Sequence, residues 1–438
     1  MRALGSRWIS KSAPTGERFR EGSNRDRRDR SVIEATGLKH PEQYVGGWVG
    51  DYIHVVKDTR FPLSFHFLAG LWALTSLVGR KGRLRRPGFD LYPPVSIMLL
   101  GDSGVGKSST MNLALRGVIQ PASKDRIGFF CPDSPRVTER GLIKPWEKAQ
   151  QGGVDRIEGA YGFPEAKSLL GKRVGAESIM QFLIDCLDHG SKYDSTGVYG
   201  EIPLRNITIS LCVCSTLDPL RESVSPGEFV DGGFVHRFLV AHEIHRPQDV
   251  VEGLVDEGAL ERLAVRARGL ASRVPEELTI SDGAIKLLNT FRQQSEDRAY
   301  DVSSLAGFWN RLSTMAAKLG MAFAISEETW EVSKAHVERA EKFLRGHIYP
   351  PLRALVLELS YDKGTRRIFK VSEDLFYSKD KGIALTEVHS RLGAGGLKQA
   401  QERLALMKDL NLVVVRGKQA FHPQFAGKSV GGEREEGD

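Results

Sequence analysis

From residue 95 onward, short apolar runs recur between longer stretches whose apolar positions fall at helical spacing. Five runs stand out: 95–100 (VSIMLL), 127–131, 157–163, 207–214 and 235–241. They are too short for stable helices and largely apolar, the pattern of strands buried on both faces. Strands alternating with helices predict an α/β fold, a parallel sheet covered by helices. The apolar stretch FHFLAGLWALTSLVG, upstream, falls short of the roughly 20 residues a membrane helix needs and reads as a core helix. Residues 250–348 are helix-compatible almost throughout and predict a helical lid.

Between the first predicted strand and the helix-compatible KSSTMNLALRGVI lies GDSGVGKSS, residues 101–109. A strand, a GxxxxGK[ST] loop and a helix in that order make a P-loop. Gly101, Gly104 and Gly106 let the backbone turn, so that the N–H groups of Asp102, Ser103, Val105 and their neighbours, through Ser109, face phosphate oxygens. Lys107 adds a positive charge at the β- and γ-phosphates, and the Ser108 hydroxyl is placed for Mg²⁺. The implied ligands are ATP and Mg²⁺.

Hydrolysis also needs an acid at the end of a neighbouring strand. The nearest is Glu165 in RIEGAYGFPEAKSLL, where Pro164 stands in the place of the usual Asp. Glu165 either polarises the attacking water or simply opens the next helix, where an acid is favoured. The run NITISLCVCSTLDP ends in Ser215 and Thr216. Thr216 either senses the γ-phosphate or caps the helix that follows. DGGFVHRFLVAHEI then carries Arg237 into the last apolar run, either in a salt bridge within the chain or as an arginine finger reaching a neighbour's nucleotide.

In this order the P-loop, the delayed glutamate, DHGSKYDSTGVYGEIPLRNITISL, STLDP and GGFVHRF resemble the helicase-like P-loop ATPases of phages and mobile elements. The resemblance runs from about residue 50 to about residue 345, and the P-loop is its specific part. More distantly, GGFVHRFLVAH is similar to the finger-bearing segment of minichromosome-maintenance-type AAA+ helicases. That likeness implies Arg237 as the finger, Thr216 as a first sensor and Glu165 as the catalytic acid. FWNRLSTMAAKLGMAFAI is similar to their lid helix, with Arg311 as a second sensor. The family implies a homo-oligomer, in the form of a ring, acting on single-stranded or forked DNA with other replication proteins.

Near the C-terminus, residues 383–423 read as helix, turn, helix and hairpin, with Gly393, Gly395 and Gly396 breaking the helices and the hairpin turning at Gly417. This is a winged-helix pattern, which binds DNA or docks proteins. Lys398 and Arg403 lie on the polar face of its second helix and Lys418 in the wing. GRKGRLRRPGF, with Lys81, Arg83, Arg85 and Arg86, is the densest basic run beside the predicted sheet: a track for a nucleic-acid backbone or a solvated loop.

Composition refines the outline. The 438 residues carry a formal charge of +7, and residues 1–30 concentrate nine Arg/Lys against four Asp/Glu. That stretch reads as a disordered basic arm, either a solubility tail or a phosphate contact. Cys131, Cys186, Cys212 and Cys214 form no CxxC pair and sit among apolar residues, as free thiols in a reducing cytosol do. With no secretory signal evident, a cytoplasmic protein without a membrane partner is expected. The expected organisation is an arm (1–45), a helical segment with the basic run (46–90), the P-loop core (91–249), the lid (250–348), a winged helix (349–424) and a tail (425–438). The function this points to is an ATP-hydrolysing DNA motor. An ATP-switched loader or scaffold, and a DNA-binding regulator with a structural P-loop, are the alternatives.

Overall fold

Every residue from Ser96 to Gly101 is buried, which requires a strand paired on both edges and covered on both faces. The structure is a computed structural model that describes residues 35–360 apart from 87, 134–138, 171–175, 189–191, 195–202, 248–254 and 300–304, and residues 368–423 with further breaks. In chain order, α1 (Gly47–Val56) and α2 (Leu63–Val78) lead to a hairpin of β1 (Leu84–Arg86) and β2 (Phe89–Leu91). β3 (Ser96–Gly101) and α3 (Lys107–Ala114) follow, and a wide π turn, Leu115–Ile119, joins α3 to α4 (Gln120–Ser123). Next come β4 (Phe129–Phe130), α5 (Glu139–Gln151), β5 (Ile157–Phe163), α6 (Ala166–Leu170) and α7 (Ala176–Leu187). A second hairpin, β6 (Lys192–Asp194) with β7 (Pro203–Arg205), precedes β8 (Ile207–Ser215), α8 (Leu217–Ser223) and β9 (Phe238–Glu243).

Five of these strands form one parallel sheet in the order β4-β5-β8-β3-β9. They are the five runs expected from the sequence, with shifted ends. The last begins at Phe238 rather than 235, because Val235–Arg237 form a 3₁₀ turn in which the Arg237 N–H donates to the Phe234 carbonyl. The chain steps from β3 to the β4 edge, returns through β5 and β8, and then crosses to β9. Its direction therefore reverses at β3, and ligands of such sheets bind at the carboxyl ends of the strands beside that point.

The expected core helix is α2, buried from Ser64 to Val78 and packed on the sheet. Two of its polar groups bond to the sheet: Trp72 Nε1 donates to Ser210 Oγ at 3.1 Å, and the Ser76 hydroxyl meets the same oxygen at 2.5 Å. Residues 46–90 thus supply part of the sheet's helical cover. Residues 35–45, counted with the arm, are pinned to the sheet: the Thr36 N–H donates to His242 O at 2.7 Å, and His242 N–H donates back to Thr36 Oγ1 at 2.9 Å. Residues 1–34, the rest of the expected arm, and the tail from 425 lie outside the described residues.

The expected lid comprises α9 (Glu257–Arg273), β10 (Thr279–Ile280), α10 (Asp282–Ala299), α11 (Ala306–Ser326), β11 (Glu331–Val332) and α12 (Lys334–Phe343). One hydrophobic cluster runs unbroken from Leu38 through the sheet and these helices to Leu359. It includes α13 (Tyr349–Ser360), which corrects the boundary at 349: a π turn, Leu344–Ile348, carries α12 into α13 despite Pro350 and Pro351. The wide turn comes directly before the two prolines, which in a regular helix interior would clash with the preceding turn. Beyond residue 360, helices Leu385–Leu392 and Leu397–Asp409 and a three-stranded antiparallel sheet of Ile383–Ala384, Gln419–Phe421 and Val414–Arg416 share a second, smaller cluster. Among the described residues no helix is long and apolar enough to cross a membrane.

Candidate functional site

The GDSGVGKSS loop leaves β3 at the carboxyl edge of the sheet. Gly106 precedes α3 with φ +103°, and a Cβ there would come within 2.2 Å of the Phe61 ring. Gly104 has φ +83° and open space where its Cβ would be, so the loop's tip faces solvent. No side chain caps α3 at Gly106, which leaves its first-turn N–H groups for an anion. Lys107 is 8% exposed, and its ammonium donates to the carbonyls of Gly101 and Asp102, both at 2.8 Å. Burial lowers the Lys107 pKa, opposed by the charges of Cys214 and Asp102. Held this way, Lys107 is folded back on its own loop.

Sheet register brings the other expected residues to the same edge. Leu100 lies opposite Ser215, and Phe163 opposite Val213, so Pro164–Glu165 and Ser215–Thr216 emerge beside the loop. Ser108 Oγ is 3.5 Å from the Pro164 carbonyl. Glu165 is exposed; its carbonyl accepts Ser168 N–H at 3.0 Å, while its carboxylate takes no hydrogen bond from the described residues. Glu165 therefore both precedes α6 and stands next to Ser108. Thr216 is the N-cap residue of α8 by position, yet its side chain makes no capping bond.

Two residues that sequence reasoning missed wall the loop's other flank. Arg246, just past β9, donates through Nε to the Gly104 carbonyl, and its guanidinium lies 5.8 Å from the centroid of the Phe61 ring. Glu243, at the end of β9 opposite Gly101, accepts from Ser64 Oγ at 2.6 Å and Gly37 N at 3.2 Å, and burial raises its pKa. No local motif announces these contacts; all are made across long sequence separations.

Arg237 lies at the opposite edge. Phe238 pairs with Ser96, the first residue of β3, and five strand residues at about 3.3 Å each put Arg237 about 17 Å from the glycine-rich loop of its own copy. Its side chain is 9% exposed. Nε donates to Asp188 Oδ1 at 3.0 Å, Nη1 to the Gly233 carbonyl at 2.6 Å, and Nη2 to Asp188 Oδ2. Arg311 on α11 meets the same carboxylate, Nη1 to Oδ1 at 2.9 Å and Nη2 to Oδ2 at 3.1 Å. Burial alone would raise the Asp188 carboxyl, but these two arginines hold it below its usual range. Lys318, about two helical turns further along α11, is half-buried with Nζ 3.2 Å from the Pro94 carbonyl, and the loss of solvent around it lowers its pKa to about 7. The salt bridge expected as one reading of Arg237 is thus formed, and Arg311, expected at the nucleotide, sits with Arg237 instead of beside the glycine-rich loop of its own copy.

The basic residues divide. Lys81 Nζ donates to Ser272 O at 3.0 Å, Arg83 pairs with Asp90 at 3.2 Å, and Arg85 with Glu277 at 2.7 Å. Of these cations, expected as a nucleic-acid track or a solvated loop, Lys81 ties the chain before β1 to α9, Arg83 braces the start of β1 against β2, and Arg85 joins β1 to the segment after α9. Arg86 lies half-buried beside Arg292, where burial and that like charge lower its pKa. Lys398 and Lys418 are exposed. Arg403 is turned from the polar face, donating to the carbonyl of Leu392 at the end of helix Leu385–Leu392, a C-capping contact. The four cysteines are free; Cys131 is only half-buried, at the sheet's edge strand, rather than fully enclosed as expected. No protein-family model and no curated protein matches the chain.

Proposed function

We propose that the chain is an AAA+-type P-loop ATPase whose copies assemble so that Arg237 of one completes the nucleotide site of the next, and that it works as a helicase-like motor on DNA in phage or mobile-element replication. The observation that carries this reading is the division of the parts between the two edges of one sheet. The loop, Lys107, Ser108, Glu165 and Thr216 share the carboxyl edge. Arg237 and Arg311 lie at the other, about 17 Å away. An arginine so placed reaches a phosphate only on another copy.

In this reading the loop's N–H groups and Lys107 hold the phosphates, Lys107 leaving the Gly101 and Asp102 carbonyls to do so. The Glu165 carboxylate, which takes no hydrogen bond from the described residues, orients the attacking water and accepts its proton. Mg²⁺ suits the hard oxygen donors at that edge, the Ser108 hydroxyl and the Glu165 carboxylate, and when bound neutralises charge on the phosphates. Thr216, with no capping duty, is available to the γ-phosphate. The C-terminal helices and hairpin suit a winged helix with Lys398 and Lys418 toward DNA.

One observation favours the loader alternative: Glu165 follows Pro164 instead of an Asp, so the acid works without the usual partner, and slow hydrolysis suits a switch better than a motor. ATPase rates with and without single-stranded DNA, beside strand separation on a forked duplex, decide between them. DNA-stimulated turnover with unwinding, both lost in Lys107→Ala, is expected. Slow turnover indifferent to DNA and without unwinding would identify a loader or scaffold. Lys107→Ala turnover equal to wild type would remove the site altogether.

A further inference from the structure

The two arginines that meet Asp188 come from separate elements, the 3₁₀ turn before β9 and the helix α11, and converge on one carboxylate. Each guanidinium spans both oxygens: Oδ1 accepts from Arg237 Nε and Arg311 Nη1, Oδ2 from Arg237 Nη2 and Arg311 Nη2. Asp188 itself closes α7, its N–H donating to Ile184 O at 3.0 Å. A helix C-terminus disfavours an anion, so the two arginines, not α7, hold the acid in place. Two cations face one anion, and the forked N–H groups match the oxygens of a phosphate as well as those of a carboxylate. The Asp188 side chain is 40% exposed and that of Arg311 32%, against 9% for Arg237, so solvent reaches the fork from the side of Asp188 and Arg311.

We propose that Asp188 is an internal stand-in for phosphate: within one copy of the chain its carboxylate fills the fork of Arg237 and Arg311, and the terminal phosphate of a nucleotide on a second copy displaces it. The inference rests on the trans reading of Arg237 given above. Its consequence is that an unassembled copy keeps its fork occupied and out of use. Phosphate must outcompete a carboxylate already in place, which ties turnover to an interface that presents phosphate at close range.

The fork can be tested without hydrolysis. Melting of the full-length wild type, Asp188→Asn and Asp188→Asn/Arg237→Ala is followed as inorganic phosphate is added. Phosphate binding at the P-loop is common to all three, so the difference between them reports the fork. Asp188→Asn should gain a phosphate-dependent stabilisation beyond wild type, with an apparent affinity at least tenfold tighter, and the double variant should lose that gain. Identical phosphate responses in the three folded proteins would overturn the proposal. Should Asp188→Asn fail to fold, a structure of the wild-type assembly with a non-hydrolysable ATP analogue decides: Asp188 released from Arg237 supports the stand-in, and Asp188 still bridging both arginines at a loaded interface removes it. Failure of the trans reading registers separately, as absence of complementation between Arg237→Ala and Lys107→Ala copies. Complementation without a phosphate gain leaves the finger and removes only the stand-in.

Discussion

Replacing Arg237 by Ala separates a catalytic arginine from a structural one. The substitution removes two hydrogen bonds to Asp188 and one to the Gly233 carbonyl. Asp188 is not orphaned, because Arg311 still meets both its oxygens at 2.9 and 3.1 Å. The cost is therefore that of charge-assisted bonds in a partly buried pair, about 1–3 kcal/mol, rather than that of a stranded buried charge. A domain with about 5–15 kcal/mol of stability survives it, melting a few degrees lower. ATP binding should be unchanged, since the glycine-rich loop proposed to hold it is about 17 Å away along the sheet. Turnover should fall by about 10³-fold, the usual contribution of an arginine finger. In a head-to-tail ring each interface joins one copy's P-loop to the next copy's arginine, so random equimolar mixing with Lys107→Ala rebuilds about a quarter of the sites. The assay is steady-state ATPase on the mixture, with mixed assembly checked by differently tagged copies. Turnover of Arg237→Ala near wild type, loss of its fold, or no recovery in demonstrably mixed oligomers would refute the reasoning.

Glu165→Gln keeps the side chain's size while removing the charge that accepts a proton, so nucleotide affinity should hold while turnover drops by about 100-fold or more; an unchanged rate assigns the acid's role elsewhere, though not to Asp188, which faces the other edge of the sheet. Gly106→Ala forces a side chain into a φ of +103° and into the Phe61 ring, and should lower stability by about 1–3 kcal/mol with loss of ATP binding. Adding Phe61→Ala should recover only the steric part of that loss in thermal melts; full recovery would show that backbone strain is absent. Burial would raise the Glu327 carboxyl, but bonds from His336, Arg339 and the Gly46 N–H outweigh it and bring the pKa to about 2. Because its folded pKa lies below the unfolded one, the stabilisation is complete above pH 5 and fades as pH falls toward 2. Glu327→Gln should thus be less stable by about 1–2 kcal/mol at neutral pH, allowing for solvent screening, and indistinguishable from wild type near pH 2 in denaturant titrations.

What the sequence made legible is what local chemistry dictates. VSIMLL and NITISLCVC are apolar and β-branched beyond anything a loop tolerates, and the glycine spacing between Gly101 and Gly106 admits few backbones. Glu165 and Thr216 could be located because strand ends in a parallel sheet converge whatever its order. The order itself was not legible, since β3 pairs with β8 and β9, more than a hundred residues away. Asp188 shows the same limit more sharply: in sequence it is one acid among several near the end of α7, and only folding brings Arg237 and Arg311 onto it. Phe61 and Arg246 likewise gain meaning from Gly106 and Gly104. The helical body does not stop at 348, as the sequence pattern suggested: a π turn carries the chain past Pro350 and Pro351 into a further helix, which no local motif announces.

The unbroken core from Leu38 to Leu359 has a mechanical consequence. Nucleotide-driven machines often convert a phosphate's presence into the swing of a lid about a soft joint. Here α9 is wedged against α1, α2 and α4, and α13 against β9, so such a swing would pull apart close-packed side chains and expose apolar surface. The body of this chain is stiff, more like the tooth of a gear than a hinge. In the assembly proposed above, a stroke would therefore fall between neighbouring copies, where the arginine fork would engage and release; the small core beyond residue 360 is separate from this body.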